Sequence, residues 1–238
     1  MAHRFPRLLP IVLTAALTAA AASACGGDEP APASGGDGGN VAVAGIGYTS
    51  DQLSQALLTE LAGYRRAGDP DLGEYGTLRA IRNAAHLQES VVLDKPRCAN
   101  AAGGPGGKIP AEVPAALVSF AKEGGWTVTQ TLMAMSADEA DEQVDARVPS
   151  GCLEFKTKIG SKWAGHRVTE SPRGEIGQGS RTVGVTTIAG TAHTKAWYVV
   201  FRGRDYLATI SVVGPNATRD EAERIARAAL GNAERFLP

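Results

Sequence analysis

The side chains of this sequence that could do more than pack are three histidines, five clustered acids and three cysteines. His86, His166 and His193 lie far apart in the sequence, each beside an expected turn or strand end. One of them could titrate as a pH switch, and a surface or edge imidazole is the simpler reading. The acids Asp138, Glu139, Asp141, Glu142 and Asp145 fall on one stretch. If that stretch is a helix, carboxylates near its N-terminus are favoured by the macrodipole, and a cation-binding face is the alternative. "GGPGGKIP" has the glycines and the lysine of a phosphate loop, but it lacks the Walker spacing and the Ser or Thr that should follow Lys108. No serine sits in a G-x-S-x-G elbow, and no H-E-x-x-H or calcium-loop pattern occurs. Trp126, Trp197 and Tyr198 could wall a ligand cleft or fill a core. No catalytic set, metal site or cofactor is expected from these residues.

The cysteines carry the stronger signal. His3, Arg4 and Arg7 precede "LLPIVLTAALTAAAASA", an apolar and small-residue run that ends at Ala24. A charged start, a short apolar stretch and a small-residue cleavage site make a secretory signal over residues 1–24. Ala22-Ser23-Ala24-Cys25 is similar to the lipobox of bacterial lipoprotein precursors, departing from it at Ala22, where leucine is usual. That resemblance implies that Cys25 becomes the acylated N-terminus. Stable anchoring needs more than one acyl chain, which a multiply acylated cysteine supplies. Cleavage nearby with Cys25 a spare thiol is the other reading. Residues 25–47 then form a Gly-, Pro-, Ser- and Asp-rich tether that cannot bury enough apolar surface to fold. It would let the domain float roughly 25 Å from a bilayer. With Cys25 acylated, Cys98 and Cys152 remain as one possible pair in an oxidising compartment. Neither has a second cysteine or histidine at zinc-ligand spacing.

Residues 48–238 are long enough for one domain with a core of its own. Lys and Arg number 24 against 25 Asp and Glu. With the charges well mixed, no basic stripe of the kind a nucleic-acid partner needs is present. Leu53, Leu57, Leu61 and Tyr64 recur at helical spacing behind a Thr49 or Ser50 cap. Leu78, Ile81 and Ala85 suggest a short helix, "SVVLD" a strand, and "AEVPAALVSFAKEGG" a helical stretch. "GWTVTQTLMAM" alternates as a strand, with Trp126, Val128, Leu132 and Ala134 on one side. Ser136 and Glu139 form a capping box for a helix whose face is Ala137, Ala140, Val144 and Val148. Four β-rich runs follow, "HRVTES", "SRTVGVTTIAG", "TKAWYVVFRG" and "DYLATISVVG", joined by short turns that favour antiparallel meander pairing. "KAWYVVF", apolar on both faces, belongs in the centre of the sheet. Thr218 and Glu221 make a second capping box for a terminal helix with Ala222, Ile225, Ala229, Ala233 and Phe236 along one side. The fold class expected is α+β, an antiparallel sheet with helices packed on it and one disulfide.

In the order of these elements the chain resembles the PknH-type extracellular sensor domains of actinobacterial serine/threonine kinases, and the stand-alone lipoproteins of that fold. The residues that carry the resemblance are "LDKPRC" before Cys98, "WTVTQTLMAMSADEADEQV" ahead of Cys152, and "SPRGEIGQGSRT" leading into the hairpins. It implies an extracytoplasmic domain with a curved sheet and a ligand cleft, and no established reaction. Such domains commonly hold two disulfides, whereas here only one can form. Three functions are consistent with this reading. The first is a lipid-anchored sensor or binding lipoprotein on the outer face of the cell membrane, which takes a small molecule or envelope component and signals through a membrane-protein partner. The second is a protein-interaction or scaffold lipoprotein without a small-molecule site. The third is a secreted cell-wall hydrolase.

Overall fold

The computed structural model describes residues 47–99, 101 and 108–237. The expected signal peptide, Cys25, nearly all of the expected tether and the whole of "GGPGG" lie outside the described residues. The described chain runs α1 (Ser50–Gln55), β1 (Arg65–Arg66), β2 (Asp71–Glu74), α2 (Arg79–Glu89), β3 (Val91–Leu93), β4 (Pro114–Lys122) and β5 (Trp126–Ala134). It continues with α3 (Ala137–Asp145), β6 (Glu154–Ile159), β7 (Lys162–Glu170), β8 (Ser180–Ala189), β9 (Ala192–Arg202), β10 (Tyr206–Gly214) and α4 (Arg219–Phe236). Ten strands form one antiparallel sheet in the order β1-β4-β5-β10-β9-β8-β7-β6-β3, with β2 also on β4. The meander expected from the short turns is the run β7 to β10, and β6, which was not expected, extends it. The strand β9, which contains "KAWYVVF", lies between β8 and β10.

Side chains alternate across the sheet and divide the core in two. On the first face, Phe120, Val128, Leu132, Phe201 and Ile210 meet Leu53 and Leu57 from the α1 region and Ala222, Ile225 and Ala229 of α4. On the second face, Leu117, Met133, Val200 and Leu207 meet Ala140 and Val144 of α3. Cys98, Cys152, Phe155, Val183 and Val185 continue that face toward β6. Each fully buried Leu, Ile or Phe contributes about 1.5–3 kcal/mol. α2 differs from the other helices in burying none of its side chains.

Three sequence expectations change. "AEVPAALVSFAKEGG" is not helical: it is β4, hairpinned to β5 through Gly124 and Gly125 at φ +79° and +76°. A strand buried on both faces reads as a continuous apolar run, which a buried helix also gives. The first helix stops at Gln55, well short of Tyr64. Buried amides take over the backbone there: Gln130 Oε1 accepts from Leu58 N at 2.9 Å, and Asn232 Nδ2 donates to the Ala56 and Leu57 carbonyls. Leu57 and Leu61 stay buried without helical geometry. At the C-terminus Phe236 is half exposed and Leu237 is buried in its place.

The two capping boxes fare differently. Around α3 both halves are present, the Ser136 hydroxyl and the Glu139 carboxylate each taking the other's backbone N–H. At α4, Thr218 Oγ1 accepts from Glu221 N, but the Glu221 carboxylate accepts from Tyr64 OH at 2.9 Å and lies 3.6 Å from Lys122 Nζ. Lys122 stacks over the rings of Tyr64 and Trp126. The second carboxylate thus ties α4 to the β4–β5 hairpin.

Candidate functional site

Cys98 and Cys152 are bridged, with both sulfurs buried and Cα atoms 5.4 Å apart. The clustered acids do not gather around a vacant centre. Asp145 bonds Arg173 at 2.6 Å, and Asp141 takes both Arg173 and Arg202, the latter at 2.7 Å. The five carboxylates split between capping, ion pairs and solvent. His86 is exposed on α2 beside Glu89, and His193 is exposed on β9.

His166 lies in mid-strand on β7, not at a strand end. Its Nε2 lies 2.7 Å from the Thr157 hydroxyl and its Nδ1 3.0 Å from the Thr187 hydroxyl, with Phe155 stacked on the ring. Partial burial lowers its pKa from the usual imidazole value, partly opposed by the Asp94 carboxylate. With the folded pKa depressed, the unfolded chain binds the extra proton first, so this group's stabilisation is present above its unfolded pKa and is lost as pH falls. Thermal unfolding between about pH 7.5 and about pH 5 should therefore show a loss of stability toward acid that His166→Gln removes. An unchanged pH slope in the variant would refute the assignment.

The three candidate aromatics separate into two roles. Trp126 packs over Gly214 and under Lys122, and Trp197 covers Gly184 and donates its indole N–H to the Ala217 carbonyl at 3.1 Å. Both are structural. Tyr198 faces the other side of β9 in one register line with Ser211, Thr129 and Ser119. Inter-strand spacing of about 4.8 Å makes this a row of four hydroxyl-bearing residues about 14 Å long. Burial pushes the Tyr198 phenol up, so it stays a neutral hydroxyl. Thr131 and Thr209 flank the row one step along their strands. Ser119 and Thr129 hydroxyls lie 3.2 Å apart.

At its β4 end the row enters a cavity of about 540 Å³ between the β1–β2 loop, β4 and α2, lined in part by Asp69, Asp71, Arg79, Asn83 and Ser119. Asp71 Oδ2 accepts from Arg79 N at 2.6 Å and fixes the start of α2 as one wall. The threonines opposite Val128 and Leu132 were visible in the sequence as the polar side of β5, but their alignment with Ser119, Ser211 and Tyr198 depends on register across four strands. A second hollow of about 410 Å³ lies at the other end of the sheet over Gly165, between Lys156, Arg167, Thr186 and Ile188.

No protein-family model matches the sequence, and no curated protein matches it. Among solved structures the chain is similar to the extracellular domain of PknH from Mycobacterium tuberculosis, with a TM-score of 0.53 and 12% identity over 79% of this chain and 98% of that one. A Mycobacterium smegmatis protein, the Rv0999 ortholog, aligns with a TM-score of 0.43 and 18% identity over 79% of this chain and 97% of that one. The described domain thus shares its fold with the PknH extracellular domain.

Proposed function

We propose that this protein is a lipid-anchored extracytoplasmic sensor or binding lipoprotein, held by Cys25 on the outer face of the cell membrane, and that it binds a small polyhydroxylated molecule without chemically changing it. The observation that carries the binding role is the Ser119–Thr129–Ser211–Tyr198 row opening into the cavity beside Asp71 and Arg79. Neutral hydroxyls at regular spacing both donate and accept hydrogen bonds, as do the hydroxyls of sugars and other polyols. The non-catalytic reading rests on analogy with the extracellular domain whose fold the chain shares. The buried disulfide and the fold shared with an extracellular domain support an extracytoplasmic location. No helix among the described residues is long and apolar enough to cross a membrane.

The test is calorimetric titration of the exported chain with mono- and disaccharides, polyols and fractionated envelope glycans, beside Ser119→Leu, which fills the cavity mouth. Binding by the native chain that Ser119→Leu abolishes, with its thermal unfolding unchanged, is expected. Equal binding by both chains, or none by the native chain, would sink the proposed site. The mass of the mature N-terminus tests the anchor separately: a diacylated or triacylated Cys25 is expected, and an unmodified end at another cleavage position would remove it.

A further inference from the structure

The β6–β7 and β8–β9 hairpins turn at the same end of the sheet, at Gly160-Ser161 and Gly190-Thr191, beside the edge strand β3. Their sequences have an unusual charge distribution. Between Phe155 and Thr169 there is no Asp or Glu, and Lys156, Lys158, Lys162 and Arg167 all fall there; from Ile176 to Arg204 there is again no acid. The chain as a whole is nearly neutral, whereas the β6–β7 hairpin carries four cations between two acids, Glu154 and Glu170. The flanking carboxylates are engaged: Glu154 pairs with Arg167 at 3.1 Å, and Asp94 accepts from Lys156 N at 2.7 Å.

The same corner gathers large apolar side chains left in solvent. Ile159 is 61% exposed, Val92 59% and Trp163 47%, with Ile188 on the adjoining strand β8 exposed as well. Val92, Lys158 and Trp163 stand in one register line, and the Lys158 ammonium lies 5.8 Å from the Trp163 ring centre. α4 lies over β8, β9 and β10 and leaves the first face of β6 and β7 without a helix. The hollow over Gly165 opens on this face between Lys156 and Arg167.

We infer that this corner docks the domain on an anionic lipid bilayer, with Trp163, Val92 and Ile188 of one sheet face entering the interface and Lys156 and Lys158 of that face meeting the headgroups. Tryptophan and aliphatic side chains ringed by lysine fit the boundary between headgroup and acyl chain. Anionic headgroups supply the charge that this corner complements. Gly165 leaves bare backbone between Lys156 and Arg167, in a hollow that Lys95, Asp94 and Glu154 also line. Docking of this kind would turn a domain on a tether into one with a fixed orientation. The inference goes beyond the ligand site, which lies at the opposite end of the sheet, and it does not depend on acylation.

The experiment is vesicle flotation of the exported chain carrying Cys25→Ser, so that no acyl group contributes. Vesicles of phosphatidylglycerol with phosphatidylcholine are compared with phosphatidylcholine alone. Expected are binding to the anionic vesicles only, loss of that binding as salt rises, and a blue shift of tryptophan emission that Trp163→Phe removes. Lys156→Gln with Lys158→Gln should weaken binding by about tenfold or more. Both sites are exposed or half-exposed, so the fold is expected to survive, as circular dichroism would verify. Binding unaffected by these substitutions, binding equal on neutral vesicles, or binding to soluble polyphosphate but not to vesicles would each overturn the inference.

Discussion

Removing the Cys98–Cys152 bridge should destabilise the domain by about 4 kcal/mol. The bridge spans 54 residues, and that loop contains the long paired strands β4 and β5 and α3, the helix on the second face. In the chain-entropy account, opening a loop of that length gives the unfolded state back its freedom while the folded contacts stay as they were. The sulfurs themselves are buried against Phe155, Val168, Val183 and Val185, so Cys98→Ala with Cys152→Ala loses some packing in addition. For a domain of this size 1 kcal/mol moves the melting temperature by about 2–4 °C, so a fall of roughly 8–16 °C is expected in calorimetry, with reductant giving a similar fall in the native chain. A drop of under about 3 °C would mean that the loop is held shut by its other contacts. Reduction should leave the hydroxyl row's register intact below the transition, because β4, β5, β10 and β9 pair without the bridge.

What could be read in advance follows from how local each signal is. The α3 capping box, the β5 alternation and the meander turns are encoded within a few residues, and all appear in the structure. The disulfide was legible because cysteine counting left one pairing once Cys25 was set aside. β4 was missed because Ala115 to Val118 are apolar at every position, a pattern that carries no period. β6 was missed although Phe155, Thr157 and Ile159 alternate with Glu154, Lys156 and Lys158; its lysines read as surface charge, and on an edge-side strand they are. The hydroxyl row was only half visible. The threonines of "TVTQT" mark a polar side of β5, yet which residues of β4, β9 and β10 stand opposite them is set by long-range register, which no short window contains. The resemblance at the level of element order indicated the fold, whereas the placement of a site depended on pairing.

No sequence signal marked Arg181, whose removal should be the second large effect. It sits in β8 with its side chain only 4% exposed, and its Nε lies 3.1 Å from Oε1 of Glu170, whose side chain is 16% exposed. That contact is electrostatic; neither atom has an aligned hydrogen-bond partner. The rest of each side chain is committed to the segment after α3: Arg181 Nη1 donates to the Ala146 carbonyl at 2.8 Å, and Glu170 Oε2 accepts from Val148 N at 3.3 Å. Burial pushes the arginine pKa down, with the Glu170 charge opposing. Arg181→Met therefore leaves a carboxylate stranded against an apolar wall and frees the segment that leads to Cys152. Breaking one side of a buried pair costs about 3–5 kcal/mol, whereas replacing both partners by apolar groups of similar volume is often close to neutral. Urea unfolding should show Arg181→Met losing about that much, and Arg181→Met with Glu170→Leu recovering a large part of it, a positive coupling in the cycle. Amide exchange at Val148 should accelerate in Glu170→Leu even where global stability is retained. If Arg181→Met instead costs less than about 1 kcal/mol, the pair is solvated in solution and α3 is held by Ala140, Val144 and its own ion pairs to Arg202 and Arg173. The expected result adds the Arg181–Glu170 pair to the ties that hold the second face, beside apolar packing under α3, the Asp141 and Asp145 pairs with Arg202 and Arg173, and the disulfide. Weakening any one of them should loosen α3 from the second face before the sheet itself opens.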